Sequence, residues 1–301
     1  MTIKHLVICG GGPSLIQSLA TIQHLCESQF MDIHNIESIY GTSAGAIVAI
    51  LLCLKYDWDT MNDYIIKRPW HDVFHVKIQN IFDAYYNKGV FDNNILDKCF
   101  QPLFDAKDIS MKITLEEFFE YSKIEIHFFA FEINEFVLED ISYLTHPKLE
   151  LLTAVKMTSA FPILLTPIFI DNKCYVDGGI ACNYSLEKCI DSGKNTNEIL
   201  GLNNYFNTNN SINSNSTLLD YIMVLIYKLI KMLGKMNLKN TEIKIENEIL
   251  FNADVITVNT LNNAFSDIEA RKELFNKGKN SAIQFLASKA TTKTTNLTTS
   301  T

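Results

Sequence analysis

Between Ile36 and Leu54 the chain reads IESIYGTSAGAIVAILLCL, and this stretch restricts the fold more than any other. A short apolar strand runs into the turn Gly41-Thr42-Ser43-Ala44-Gly45, and the helix that follows opens with almost wholly apolar turns. G-x-S-x-G between a strand and a helix is a nucleophile elbow. A side chain on either glycine would collide with the neighbouring strand or helix, and the serine sits in strained backbone at the bend. Its hydroxyl is thereby held at the carboxyl edge of a sheet, over the positive end of the next helix. The pentapeptide also arises by chance in glycine- and alanine-rich turns, but the strand before it and the helix after it supply the context the motif requires. Ser43 is the candidate nucleophile.

Composition restricts the partners. With 301 residues, 47% hydrophobic and 20% charged, the chain can bury a large core as one big α/β domain or two small ones. A net charge of −8 leaves no footprint for nucleic acid. The seven cysteines (Cys9, Cys26, Cys53, Cys99, Cys174, Cys182, Cys189) include no C-x-x-C pair and sit mostly in apolar elements. They read as reduced core thiols, which predicts a cytoplasmic protein. The apolar run Leu6 to Cys9 stops at three glycines, so no signal peptide is expected. No apolar segment reaches the roughly 18 residues that span a bilayer.

Ile3 to Cys9 is a buried-type strand closed by Gly10-Gly11-Gly12-Pro13, with a helix predicted from Pro13 to Glu27. The glycines read either as a tight βα turn or as bare backbone N–H groups facing an anion. The G-x-G-x-x-G spacing of a dinucleotide fold fails at Leu15. An anion-facing loop one strand away is where an oxyanion hole for Ser43 would need to be.

Further along, Tyr175-Val176-Asp177-Gly178-Gly179 closes a short strand, and its aspartate is either an ordinary turn residue or a base. The histidines are His5, His24, His34, His71, His75, His127 and His146, and none follows residue 146. The α/β-hydrolase order Ser, Asp/Glu, then a late His is therefore broken. Asp177 can act directly as base if it reaches the Ser43 hydroxyl. His71-x-x-x-His75 lacks the glutamate of H-E-x-x-H and a third ligand, so no metal is expected.

Four of these motifs together resemble the patatin-like phospholipases in order and spacing over roughly residues 3–190. They are Gly10-Gly11-Gly12 after the first strand, Gly41-Thr42-Ser43-Ala44-Gly45, Ser159-Ala160-Phe161-Pro162, and Asp177-Gly178-Gly179 with Asn183 beyond. The resemblance implies a three-layer α/β/α fold with a mainly parallel central sheet, a Ser43–Asp177 dyad, no cofactor, and a phospholipid or other acyl-ester lipid as substrate. One departure stands out. The family's loop usually continues with a basic residue and a glycine, where this chain has Ser14 and Leu15. The backbone N–H groups of Gly11, Gly12 and Ala44 remain for an oxyanion. The expectation is a cytoplasmic lipid acyl hydrolase of phospholipase A or lysophospholipase type. The alternatives are an acyl transferase or thioesterase on the same elbow, or a lipid-binding protein with a degenerate site.

The remaining elements follow from periodicity. A helix is predicted over Asp57–Lys67, and Thr114-x-x-Glu117 is a capping box. Strands over 124–133 and 136–143 form a hairpin, and Lys148 to Ala160 is helical. A strand at Ile199–Asn203, an asparagine-rich loop over 204–216 and a late strand at Asp254–Asn259 are expected. Ser266-x-x-Glu269 is a second capping box, opening a helix. Residues 290–301 read as a disordered threonine-rich tail behind a single domain over 1–289. In the helix near 218–239, Lys228, Lys231, Lys235 and Lys239 line one face and the rest is largely apolar. Such a helix either lies at a membrane surface or is a core helix whose lysines form its solvated face.

Overall fold

The fold is given by a computed structural model that describes residues 2–74, 78–207, 212–237, 243–254, 256 and 258–298. Its strands are β1 (His5–Ile8), β2 (Ser38–Gly41), β3 (Gly89–Phe91), β4 (Glu125–Glu132), β5 (Val137–Ser142), β6 (Ile163–Leu165), β7 (Ile168–Ile170), β8 (Lys173–Asp177), β9 (Ile199–Asn207) and β10 (Glu248–Asp254). The helices are α1 (Leu15–Glu27), α2 (Ala44–Cys53), α3 (Trp58–Asn62), α4 (Trp70–Val73), α5 (Ile78–Asn87), α6 (Asn94–Asp105), α7 (Leu115–Ser122), α8 (Leu151–Ser159), α9 (Leu186–Asp191), α10 (Leu218–Asn237), α11 (Val258–Ser266) and α12 (Ile268–Thr298).

The main sheet runs β10-β9-β1-β2-β4-β8-β7, with β5 also paired to β4. From β10 to β4 every pairing is parallel, while β5, β7 and β8 join antiparallel. Parallel strands must be covered on both faces, and this sequence supplies apolar residues for both. Leu6 and Ile8 of β1 enter the large core with α1, α2, α8 and α12, whereas Val7 enters a second core with Leu186 and Cys189 of α9. The result is the three-layer α/β/α arrangement with a mainly parallel sheet.

Local signals account for several elements. Thr114 and Glu117 make the reciprocal capping box, with Thr114 N–H donating to Glu117 at 2.8 Å and Glu117 N–H to Thr114 at 3.2 Å. β4 and β5 form the expected hairpin. The helix expected over 57–67 divides into α3 and a π-helical turn over Asp63–Lys67.

Other expectations are corrected. Asn204 to Asn207 are not loop but the second half of β9, because their backbone pairs with Phe251–Asp254 of β10. That pairing also places the late strand at Glu248–Asp254, ahead of the β-branched run that suggested it; pairing outweighs local propensity. At the start of α12 it is Asp267, not Ser266, whose carboxylate accepts from Glu269 N–H at 2.8 Å. Helix α12 then continues to Thr298, through much of the stretch whose composition predicts disorder.

Helix α12 lies against α1, and the crossing is tight at Gly278. Its carbonyl accepts from the Thr21 hydroxyl at 2.8 Å, and a Cβ on Gly278 would run into the backbone of Gln17. In a free helix Gly→Ala stabilises by about 1 kcal/mol. Here Gly278→Ala should instead lower the urea midpoint, by an amount worth about 1–3 kcal/mol, with the slope of the transition unchanged. A higher midpoint would show that the two helices part easily.

Candidate active site

The site forms where β4 changes neighbours. Gly41, the last residue of β2, lies opposite Phe128 of β4, and Asp177, the last of β8, lies opposite Ala130. Two positions along one strand thus bring the elbow and Asp177 together. Ser43 has φ 53° and ψ −118°, a conformation non-glycine residues avoid, and it is half-buried. The flanking glycines are dictated by contact: a Cβ on Gly45 would run into the Ile8 carbonyl, and one on Gly41 into the first turn of α2.

The strained turn is held by a relay from the next layer. Ser43 N–H donates to Thr158 Oγ1 at 3.0 Å, and the Thr158 hydroxyl donates to the Phe129 carbonyl at 2.5 Å. Thr158 is fully buried at the end of α8. It directly precedes the Ser159-Ala160-Phe161-Pro162 run, and sequence reasoning passed over it.

Asp177 is 2% exposed. Burial pushes its carboxyl up from 3.8 to about 6, against hydrogen bonding from the Ser43 side chain and the Gly179 N–H. The Gly179 N–H donates to Oδ1 at 2.7 Å, and the Asp177 N–H donates to the Ala160 carbonyl at 3.0 Å. Gly178 passes so close to the Phe129 carbonyl that a Cβ there would collide with it.

The glycine loop lies against the elbow. A Cβ on Gly10 would come 3.0 Å from Ser43 Cβ, and Gly11 and Gly12 line cavities that also contain Ser43. Two asparagines clamp Gly10. Its N–H donates to the Asn183 carbonyl at 3.2 Å, and its own carbonyl accepts from Asn183 Nδ2 at 3.2 Å and Asn204 Nδ2 at 2.8 Å. Asn204 also donates to Ser14 Oγ at 2.9 Å. Ser14, where a basic residue is usual, is therefore buried and bonded, and an arginine there would displace Asn204.

Two cavities meet at Ser43 and Asp177. The first, about 180 Å³, is apolar and passes between Ile47, Leu51, Trp70, Phe100, Leu164 and Phe265. The second, about 280 Å³, carries Asn183, Asn203, Asn204, Tyr227 and Lys231 among its walls. Among the described residues no histidine lines either one. His127 is elsewhere, stacked on Tyr40 at 4.4 Å and bonded to Asp140 at 2.8 Å. His71 is exposed on α4, and His75 lies outside the described residues. Among the described residues no cluster of His, Cys, Asp and Glu could hold a metal.

The patatin-like phospholipase family model matches residues 6–190, and the chain belongs to that family. It is 26% identical over 189 residues to "Probable lipid hydrolase 463L" of Invertebrate iridescent virus 6, covering 62% of this chain and 63% of that protein. It is 22% identical over 186 residues to "Uncharacterized protein R571" of Acanthamoeba polyphaga mimivirus, covering 61% and 60%. The chain thus matches about three-fifths of the length of these relatives. The fold is similar to that of VipD from Legionella pneumophila, with a TM-score of 0.56 at 18% identity over 95% of this chain and 67% of that one.

The Thr158 relay generates a test. Thr158→Val removes the hydroxyl and leaves the Ser43 N–H without this acceptor, which should cost about 1–3 kcal/mol in chemical denaturation. Ester turnover should fall while KM holds, and Thr158→Ser should restore both. A stable, fully active Thr158→Val protein would show that the turn holds itself.

Proposed function

We propose that this protein is a lipid acyl hydrolase in which Ser43 is the nucleophile and Asp177 its base. The observation that carries the reading is that the strained Ser43 and the buried Asp177 carboxyl interact and line one apolar cavity together. An acyl chain fits the cavity past Ile47, Leu51 and Phe100, which brings its ester carbonyl to Ser43. Asp177 takes the Ser43 proton as Oγ attacks, and the N–H groups of Gly11, Gly12 and Ala44 hold the tetrahedral oxyanion. The Ala44 N–H opens α2 and so has no acceptor within its helix. Collapse expels the alcohol with the proton from Asp177. Water, deprotonated by the same carboxylate, then releases the fatty acid.

The absence of a basic residue at position 14 argues less for a degenerate site once Asn183 and Asn204 are seen to fix the loop. The loop is held without the cation. Labelling with a fluorophosphonate tests the nucleophile whatever the substrate: the parent should label and Ser43→Ala should not. Ser43→Ala and Asp177→Asn should each abolish most release of fatty acid from phospholipid vesicles, and the double variant should be little worse than either. Near-full activity in Asp177→Asn would remove Asp177 from the mechanism.

The raised Asp177 pKa has opposite effects on activity and stability. A base must be ionised, so activity should fall as pH drops through about 6. For folding, a pKa raised from 3.8 to about 6 stabilises fully below about 3.8, and that contribution is lost as pH rises through about 6. A shift of that size corresponds to about 3 kcal/mol. Asp177→Asn should therefore melt above the parent at pH 8, with the advantage shrinking toward pH 4. An equal melting temperature at pH 8 would mean that the carboxylate is better solvated than its burial implies.

A further inference from the structure

Helix α10 is apolar on two opposite sides. Its inner side carries Met223, Val224 and Tyr227, packed with Phe161, Ile256 and Leu261, and Tyr227 stacks on Phe161 at 5.6 Å. Tyr227 and Ile230 also line the second cavity with Ser43 and Asp177. On the outer side Leu218, Tyr221, Leu225, Leu229 and Met232 are 74, 49, 42, 45 and 52% exposed. Their spacings of 3, 4, 4 and 3 place them on one stripe, about 21 Å long at 1.5 Å per residue. Lys228 is exposed beside it, and Lys231 is exposed at the rim of the second cavity, its ammonium 5.9 Å from the ring of Tyr205, itself 63% exposed. Lys239 and the side chain of Lys235 lie outside the described residues. The solvated side of α10 is thus not the lysine face of an ordinary core helix.

We propose that this outer face of α10 docks on an anionic lipid surface, with the leucine stripe in the interface and Lys228 and Lys231 against the head groups. Three observations select that occupant. The stripe backs directly onto residues lining the cavity at Ser43, so the docked helix sits between the lipid surface and the site; this step rests on the hydrolase reading above. The lysines complement anionic lipid on a chain whose net charge is −8. No helix among the described residues is long and apolar enough to cross a membrane, so α10 lies on the surface rather than through it.

The full chain carrying Ser43→Ala, which needs no catalysis to bind, is sedimented with vesicles of phosphatidylcholine alone or mixed with phosphatidylglycerol. It should bind the anionic vesicles, and the added pair Leu225→Glu and Leu229→Glu should weaken that binding about tenfold or more. Lys228→Gln should weaken it about threefold to fivefold on anionic vesicles only, and added salt should mimic this change. With Ser43 intact, the glutamate pair should leave hydrolysis of a soluble short-chain ester at the parental rate. Unaltered vesicle binding by the glutamate pair overturns the proposal. So does a parent dimer that the pair splits without changing vesicle binding, which would give the stripe to a second copy. Vesicle binding through α10 without any fatty-acid release would keep the docking surface and remove the hydrolase reading.

Discussion

The carbonyl of Phe129 is the point on which the site's geometry depends. β2 pairs with β4 up to Phe128, and β8 takes over from Ala130 on the same side. Between them the Phe129 carbonyl accepts from Thr158, and Gly178 passes close against it. The elbow, the end of α8 and the turn after Asp177 are all referenced to one peptide unit. A one-residue slip of β8 would point Asp177 to the opposite face of the sheet and away from Ser43. That slip is opposed by Tyr175, which would leave the main core, and by Glu132, whose carboxylate accepts from the Cys174 N–H at 2.9 Å.

What could be read in the sequence followed from local sterics. The elbow needs small residues at fixed offsets, so it is written within five positions. The Thr114 box and the β4–β5 hairpin are likewise set by neighbours a few residues apart. Asp177 could be singled out only after the histidines had been counted out and the family resemblance added, because an aspartate before two glycines is also a common turn. Asn204 could not be found this way. Its importance comes from meeting Gly10, 194 positions away in the chain, and its polar neighbourhood imitates a loop. The outer stripe of α10 was hidden for a related reason: periodicity reports that a helix is apolar on several sides but not which side faces the core.

The same packing that creates the site works against the stability of the fold. Trp70, Leu51, Leu96, Phe100 and Leu103 belong to the main core and also line the first cavity. The cavity wall is therefore part of the core. The apolar side chains that face this cavity lack packing partners on that side, which costs part of their burial energy. Asp177 adds to that cost at neutral pH, since its carboxylate is ionised while almost fully buried. The acyl-ester substrate proposed above answers the first of these deficits. In the proposed reaction the chain restores apolar contacts along the cavity, and the polar ester reaches Ser43 and the loop N–H groups. Under the proposed function, substrate size and polarity are set by the shape of the cavity beside Ser43.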